Sequence, residues 1–430
     1  MVKIAYHPCY AHSLPEGHRF PMMKFILTFL VCSITLMLSA QFSISGKVID
    51  SITKQPLAGI NLFLNHSSIG TNSNANGEFI LEHIPQGKFE LIISSFNYET
   101  QVITITSTQV NKIFRILLKP SAQELQEVIV QPYDEDGWDR WGKYFNTHFL
   151  GSSSLIKQCI LVNPDVVKFK YVRKNNMVRA FSNERLIFEN RALGYRIKYL
   201  LSKFEFYLSE NSFAFSGYPL FEKLVPKNIE EENTWLKNRE EAYKGSILHF
   251  FRSLYQDKLV EEGFEIKQMF KVNDQEIQRA TKLYKTISKA NKDSISIPIH
   301  PDSLDYYQKA SRLNKNEYSI ILNTLLTKND LVAPVDSAID FNAQNFRFNE
   351  WLHIEYTKKK EPYEYSKLFF RRANQEYIAT DINLTYQKGV SIYPNGTFFK
   401  GDNIFFDGYW AWWEKISTHL PVDYYPNLKK

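Results

Sequence analysis

The sequence predicts a mainly β protein in two parts: a β-sandwich over residues 42–119, then an α+β region over 138–430 with an antiparallel sheet and one long helix. Three observations carry this. Phe and Tyr, at 32 and 25 residues, bring aromatics to 15% of the 430-residue chain, and such side chains suit pleated, half-buried surfaces. Gly and Pro, 17 each, are too few for collagen-like or long low-complexity stretches. Long stretches of period-two alternation are interrupted by one stretch whose apolar residues recur near every 3.6 positions.

Taken from the start, residues 1–21 have no logic as part of a targeting segment and are read as a mis-called upstream start, with initiation at Met22 or Met23. Lys24 then precedes a 14-residue apolar stretch, Phe25 to Leu38, followed by Ser39 and Ala40. A basic residue, a short apolar run and small residues are the pattern of a cleaved export signal over 22–40. The run is too short for a membrane-spanning helix, and no later run of 18 apolar residues occurs, so no transmembrane helix is expected in the mature chain. Cys32 would be a lipid-anchor cysteine only after a small residue, and Val31 stands there. The expected location is the periplasm or the outer membrane.

From Phe42 the chain alternates. Ile44 and Val48, then Ile60, Leu62 and Leu64, then Phe79 and Leu81, Phe89, Leu91 and Ile93, Ile103 and Ile105, and Phe114, Ile116 and Leu118 mark short strands. Turn-forming clusters separate them, with Asn76-Gly77 the strongest hairpin signal. Strands at this spacing with such turns predict a sandwich.

Ile44-Ser45-Gly46-Lys47-Val48-Ile49-Asp50, Pro56-Leu57-Ala58-Gly59-Ile60, Gly70-Thr71 with Asn76-Gly77-Glu78-Phe79, and Phe96-Asn97-Tyr98-Glu99-Thr100 resemble the carboxypeptidase regulatory-like domain. Asn97 replaces the usual Gly of its "GY-x-T" segment. The resemblance implies a transthyretin-like (prealbumin-like) Greek-key sandwich with no catalytic residues of its own. It also implies an exported protein of Bacteroidetes type, where Glu124-Leu125-Gln126-Glu127-Val128-Ile129-Val130 resembles the strand that follows the domain in outer-membrane receptors. Several later segments, among them Arg239-Glu240-Glu241-Ala242-Tyr243 and Gly408-Tyr409-Trp410, resemble a Bacteroidetes group that pairs this second region with the regulatory-like domain. That likeness implies envelope location and no activity.

Residues 120–137 read as a linker ending in the acidic turn Tyr133 to Gly137. Trp138 to Leu150 read as a helix, and 166–215 as an antiparallel meander. Leu236, Tyr243, Ile247, Phe250, Phe251, Leu254 and Leu259 predict the long helix, about 233–262, with Gly263 as its stop. Residues 271–330 are polar and uneven, and alternation returns from Phe346 to about Phe399. An aromatic cluster closes the chain.

The composition excludes several classes. The net charge is +6; Lys3, Arg19 and Lys24 against Glu16 contribute +2 before residue 41, leaving +4 over the remainder. That is too dilute for nucleic-acid binding. Lys358-Lys359-Lys360 and Arg371-Arg372 read as solvated charge beside Glu361 and Glu364. Of three cysteines, Cys9 and Cys32 precede the expected cleavage. Cys159 is left alone, so no disulfide and no cysteine zinc site follows. No His has Glu three positions on and H-E-x-x-H is absent, which removes a zinc carboxypeptidase. No P-loop, G-x-G-x-x-G or G-x-S-x-G occurs. No metal or cofactor is expected.

Two candidate sites remain. Asp407, Tyr409, Trp410, Trp412, Trp413 and Glu414 could form a sugar-stacking platform, or Trp410 and Trp413 could pack inward from one face of a short helix. His249, Arg252 and Glu241 could form a polar site, or His249 could be a satisfied structural histidine. The expectation is a non-enzymatic envelope protein that binds a partner protein or a glycan. The alternative is a hydrolase acting on glycan or peptide through the second region, which would require two carboxylates, or a His with carboxylates, converging in a cleft.

Overall fold

The computed structural model describes residues 42–106, 112–121, 133–210, 212–314, 318–334, 342–369, 376–385, 389–399 and 401–426. The expected export segment 22–40, Cys9, Cys32, the strand-like 124–130, most of the expected linker and Arg371-Arg372 lie outside them. Gln41–Lys430 form one compact unit.

The first region is a two-sheet sandwich. β1 (Phe42–Asp50), β2 (Asn61–Leu64), β3 (Gly70–Asn72), β4 (Glu78–Ile84), β5 (Lys88–Ser95), β6 (Tyr98–Thr106) and β7 (Ile113–Leu118) divide into sheets ordered β4-β1-β7 and β3-β2-β5-β6. β1 and β7 run parallel. Inward residues of both sheets, among them Ile44, Val48, Leu62, Leu64, Leu81, Leu91, Ile93 and Ile116, are almost fully buried in one mainly aliphatic core that also takes in Phe42, Phe79, Phe89 and Phe114, as period-two alternation demands.

The Asn76-Gly77 turn is present but closes no hairpin: β3 and β4 belong to different sheets. The Asn74 side chain accepts hydrogen bonds from the Asn76 and Glu78 N–H groups. Gly77 takes φ +74°, where a Cβ would lie 2.5 Å from the Val48 carbonyl oxygen. The turn therefore carries the chain across the sandwich.

The second region holds three further sheets. The first runs Cys159–Leu161, Leu186–Asn190, Tyr195–Tyr207, Met177–Phe181, Lys168–Val172, with Ser212–Lys223 paired along Tyr195–Tyr207. The second, five-stranded sheet runs Ser319–Leu325, Phe264–Lys271, Trp351–Lys360, Tyr377–Leu384, Ile404–Gly408. A small third sheet joins Val332–Pro334, Gln344–Phe346, Val390–Ile392 and Phe398–Phe399. The core between them is rich in aromatics, with Phe145, Phe149, Phe188, Phe250, Phe251 and Phe346 fully buried.

The segment expected as one long helix is three: Ile229–Tyr243, Ile247–Tyr255 and Leu259–Glu262. Gly245, at φ +76°, breaks it, and a Cβ there would lie 2.5 Å from Ile378. Ser246 then caps the second helix by accepting the His249 N–H. The longest helix among the described residues is Asp274–Lys292, in the stretch that reads as polar and uneven. Lys358–Lys360 lie in a strand, with Lys359 over the Trp413 ring at 4.7 Å and Lys360 over Tyr377 at 3.3 Å. Among the described residues no helix is long and apolar enough to cross a membrane.

Candidate functional site

The closing aromatics turn inward. Gly408 at φ +84° starts a short helix, Tyr409–Trp413, and Tyr409, Trp410 and Trp413 are buried. Each Trp N–H finds an acceptor: Trp410 Nε1 donates to the Gly245 carbonyl at 2.7 Å, Trp413 Nε1 to that of Ala242 at 3.4 Å, and Trp412 Nε1 to Ser152 Oγ at 2.7 Å. The rings bind the break between two helices to the tail. Asp407 is exposed on the five-stranded sheet. Of the six candidate residues, only Glu414 reaches a large cavity.

That cavity, about 440 Å³, lies where the sandwich meets the second region. Asn65, His66, Lys88, Phe89 and Glu90 of the sandwich line one side. Ser246, Ile247 and Leu248, the turn Gly396 to Phe399, and Glu414 with Thr418 to Leu420 line the other. Backbone bonds hold the walls together: His66 N–H donates to the Pro219 carbonyl, Phe221 N–H to that of Ser67, and Val422 N–H to that of His66. Asp423 receives both the N–H and the hydroxyl of Ser68. Arg185 reaches across to Asn61 Oδ1 at 3.1 Å and Ser94 Oγ at 2.5 Å.

Glu414 accepts the Ile247 N–H at 2.9 Å, at the start of the helix Ile247–Tyr255. Burial still pushes its carboxyl up to about 7, outweighing that bond and the neighbouring Lys415. Burial likewise lowers Lys415 to about 8, with its ammonium 4.1 Å from the Phe213 ring centre. His66 Nδ1 and His419 Nε2 stand 3.0 Å apart, their rings stacked. One must donate and the other accept, so the pair favours neutral rings. Burial accordingly lowers His66 to about 3 and His419 to about 4. Glu90 Oε2 is held by Asn65 Nδ2 at 2.8 Å.

The His249 group is not brought to this cavity. Gly245 N–H donates to His249 Nδ1 and Nε2 lies 3.1 Å from Glu262, so both ring nitrogens are engaged in a buried setting. Arg252 donates to the carbonyls of Asn395, Tyr424 and Val422. Glu241 is exposed, 3.7 Å from Lys244. These are ties of the fold. Cys159 is buried, and burial pushes its thiol up to about 12. Among the described residues, no group of three or more His, Cys, Asp or Glu is placed to hold a metal ion.

Sequence reasoning missed His66, Glu90 and His419. The two histidines are 353 positions apart, and neither sits in a motif.

Residues 44–130 match the family model described as a CarboxypepD_reg-like domain. The chain thus opens with a β-sandwich module of that family, and the match runs past Lys119 to Val130. No curated protein matches the chain. Among solved structures it is similar to the major pilin subunit BcpA of Bacillus cereus, at 15% identity over 18% of this chain and 29% of that one, TM-score 0.16. A type II cohesin–X-dockerin complex from Acetivibrio cellulolyticus gives 19% over 18% and 56%, TM-score 0.17. The C-terminal domain of shaft pilin SpaA from Lactobacillus rhamnosus GG gives 14% over 19% and 99%, TM-score 0.17. The chain spans 29% and 56% of the first two structures. Likenesses of this extent carry no functional argument.

Proposed function

We propose that this is an exported envelope protein that binds a small, uncharged, partly apolar ligand in the cavity between the sandwich and the second region. The observation that carries the reading is the cavity's construction. Both regions supply walls, and its apolar lining is interrupted by a few converging polar groups with displaced pKa values, the ordinary make-up of a binding pocket. The helix start that would attract an anion is already filled by Glu414, and Lys88 and Glu90 bring one charge of each sign to the lining, which favours neither a cation nor an anion. The histidines face each other instead of a carboxylate, an arrangement suited to holding a hydrogen-bonding ligand. Export is supported by the sequence pattern at 22–40.

Purified residues 41–430 should bind a component of envelope extract saturably, without consuming it. Thr397→Trp, which sets a large ring into the cavity lining, should abolish that binding. A hydrolase is the second reading, favoured by Glu414, half-protonated near neutral pH, in the same cavity as Glu90. Turnover that disappears in Glu414→Gln would replace the binding reading with it. Cell fractionation that finds the protein in the cytosol with residues 22–40 intact would sink the export proposal.

A further inference from the structure

The five-stranded sheet has one face in the core, and its other face is exposed at Phe405 and Asp407, half-buried at Trp351, His353, Asp381 and Asn383, and buried at Met269. Phe264, Ile266, Leu352, Ile354, Tyr356, Ile378, Ile382 and Ile404 point inward and are buried. The alternate positions on the same strands form the other face, because side chains alternate across a sheet. Register fixes which of them are neighbours. Met269 pairs with Trp351, and Asn383 pairs with Phe405. With Leu352 opposite Ile382, Asn383 falls beside Trp351. One row across the sheet is therefore Met269, Trp351, Asn383, Phe405. The next row on the same face is Lys267, His353, Asp381, Asp407, each directly paired with the next. Two residues of strand separate the rows, roughly 7 Å.

Trp351 and Phe405 bring two aromatic rings to the first row, and the Lys271 ammonium lies 5.0 Å from the Trp351 ring centre. Phe405 is 54% exposed, and the Trp351 ring meets it edge-on at 5.9 Å between centres. The second row is polar and prearranged. His353 Nδ1 lies 2.7 Å from Asp381 Oδ1, which commits that nitrogen and leaves Nε2 for a further hydrogen bond. Asp407 Oδ1 accepts the Gly408 N–H at 2.8 Å. Asp381 and Asp407 oppose each other directly, a like-charge pairing that works against the sheet. Lys267 is engaged by Glu265 at 3.2 Å, so the row's balance is acidic.

We propose that this face binds a neutral glycan chain. Sugar rings lie against Phe405 and Trp351, and their hydroxyls donate to the carboxylates of Asp381 and Asp407 and hydrogen-bond with His353. Hydroxyl donors relieve the opposed carboxylates, while polyanions meet the same carboxylates and are repelled. Two aromatic rings beside a row rich in acceptors fit a polyhydroxylated, uncharged ligand better than a peptide, whose backbone would seek a strand edge. The proposal does not depend on the cavity between the two regions.

The test uses residues 41–430 and a panel of neutral oligosaccharides of glucose, mannose, xylose and N-acetylglucosamine, with heparin as an anionic control. Binding is followed by calorimetry and tryptophan fluorescence. At least one neutral oligosaccharide should bind saturably, and longer chains should bind more tightly. Phe405→Ala and Asp407→Asn, both at exposed positions, should each weaken binding roughly tenfold, the loss expected for one ring contact or one charge-assisted hydrogen bond. Thr397→Trp in the cavity should leave it unchanged. No saturable binding by any neutral oligosaccharide would overturn the proposal. So would binding that survives both face variants, or binding abolished by Thr397→Trp alone. Preferential, salt-sensitive binding of heparin would overturn it as well.

Discussion

The two regions of this protein are built on different materials. The sandwich packs mainly aliphatic side chains, with four phenylalanines among them, from strands that follow one another closely in sequence. The second region packs aromatic rings and ties their polar ends to backbone carbonyls that come from far along the chain, as Trp410 does with Gly245. An aliphatic core needs only volume and alternation. An aromatic core with N–H and O–H groups needs partners in fixed places. The first kind can be rebuilt from pattern alone, and the second depends on particular contacts.

The strongest way to break that comparison is at Arg252. Its guanidinium holds three carbonyls, those of Asn395, Val422 and Tyr424. Arg252→Met should cost about 3–5 kcal/mol in urea unfolding, because it leaves buried acceptors without donors. A loss under 1 kcal/mol would show that the tail is not held there. In the sandwich, Leu91→Ala at a fully buried site should cost about 2–5 kcal/mol. One shared unfolding transition is expected from one compact unit; two separate transitions would show that the regions fold independently. The aromatic core offers a paired test. Trp410→Phe removes the bond to Gly245 and should cost about 1–3 kcal/mol. Tyr409→Phe should change stability by less than about 0.5 kcal/mol, since the buried Tyr409 hydroxyl has no partner among the described residues.

The smallest expected effect concerns pH. His66 and His419 have folded-state values of about 3 and about 4, below the ordinary 6.5. The unfolded chain therefore binds more protons between those values and 6.5. Their contribution is full above pH 6.5 and is lost as pH falls toward 4. Glu414 acts oppositely: raised from 4.5 to about 7, it favours the folded state below 4.5, and that advantage is lost as pH rises toward 7. Burial also lowers His249 to about 4 and lowers His148, so four histidines stand against one carboxyl, and the unfolding temperature should fall as pH drops from 6.5 to 4.5. His419→Phe should flatten that slope; an unchanged slope would show that other groups set it.

The sandwich was legible because inward residues such as Ile44, Leu62 and Leu91 sit at alternate positions between turn residues. Its Asn76-Gly77 turn was visible, but its destination was not, since only pairing partners decide which sheet a strand joins. The helix break was hidden because Tyr243, Ile247 and Phe250 keep a helical period across it, although Gly245-Ser246 is a stop followed by a cap. The cavity left no local signature, for its walls meet only in three dimensions. Of the tail residues chosen from sequence, Glu414 faces that cavity and Asp407 lies on the outer face of the five-stranded sheet, while Tyr409, Trp410 and Trp413 are buried.

The bond from Val422 N–H to the His66 carbonyl has a kinetic consequence. Synthesis runs from the N-terminus, so the sandwich strands through Leu118 exist long before Val422 does. Closing a contact between residues so far apart is slow and entropically expensive. The Val422 side of the junction is therefore the last to close, after Pro219 and Phe221 are in place beside His66 and Ser67. Until it does, the His66 carbonyl waits uncovered, and a chaperone or a neighbouring chain that occupies it would delay maturation without touching either core.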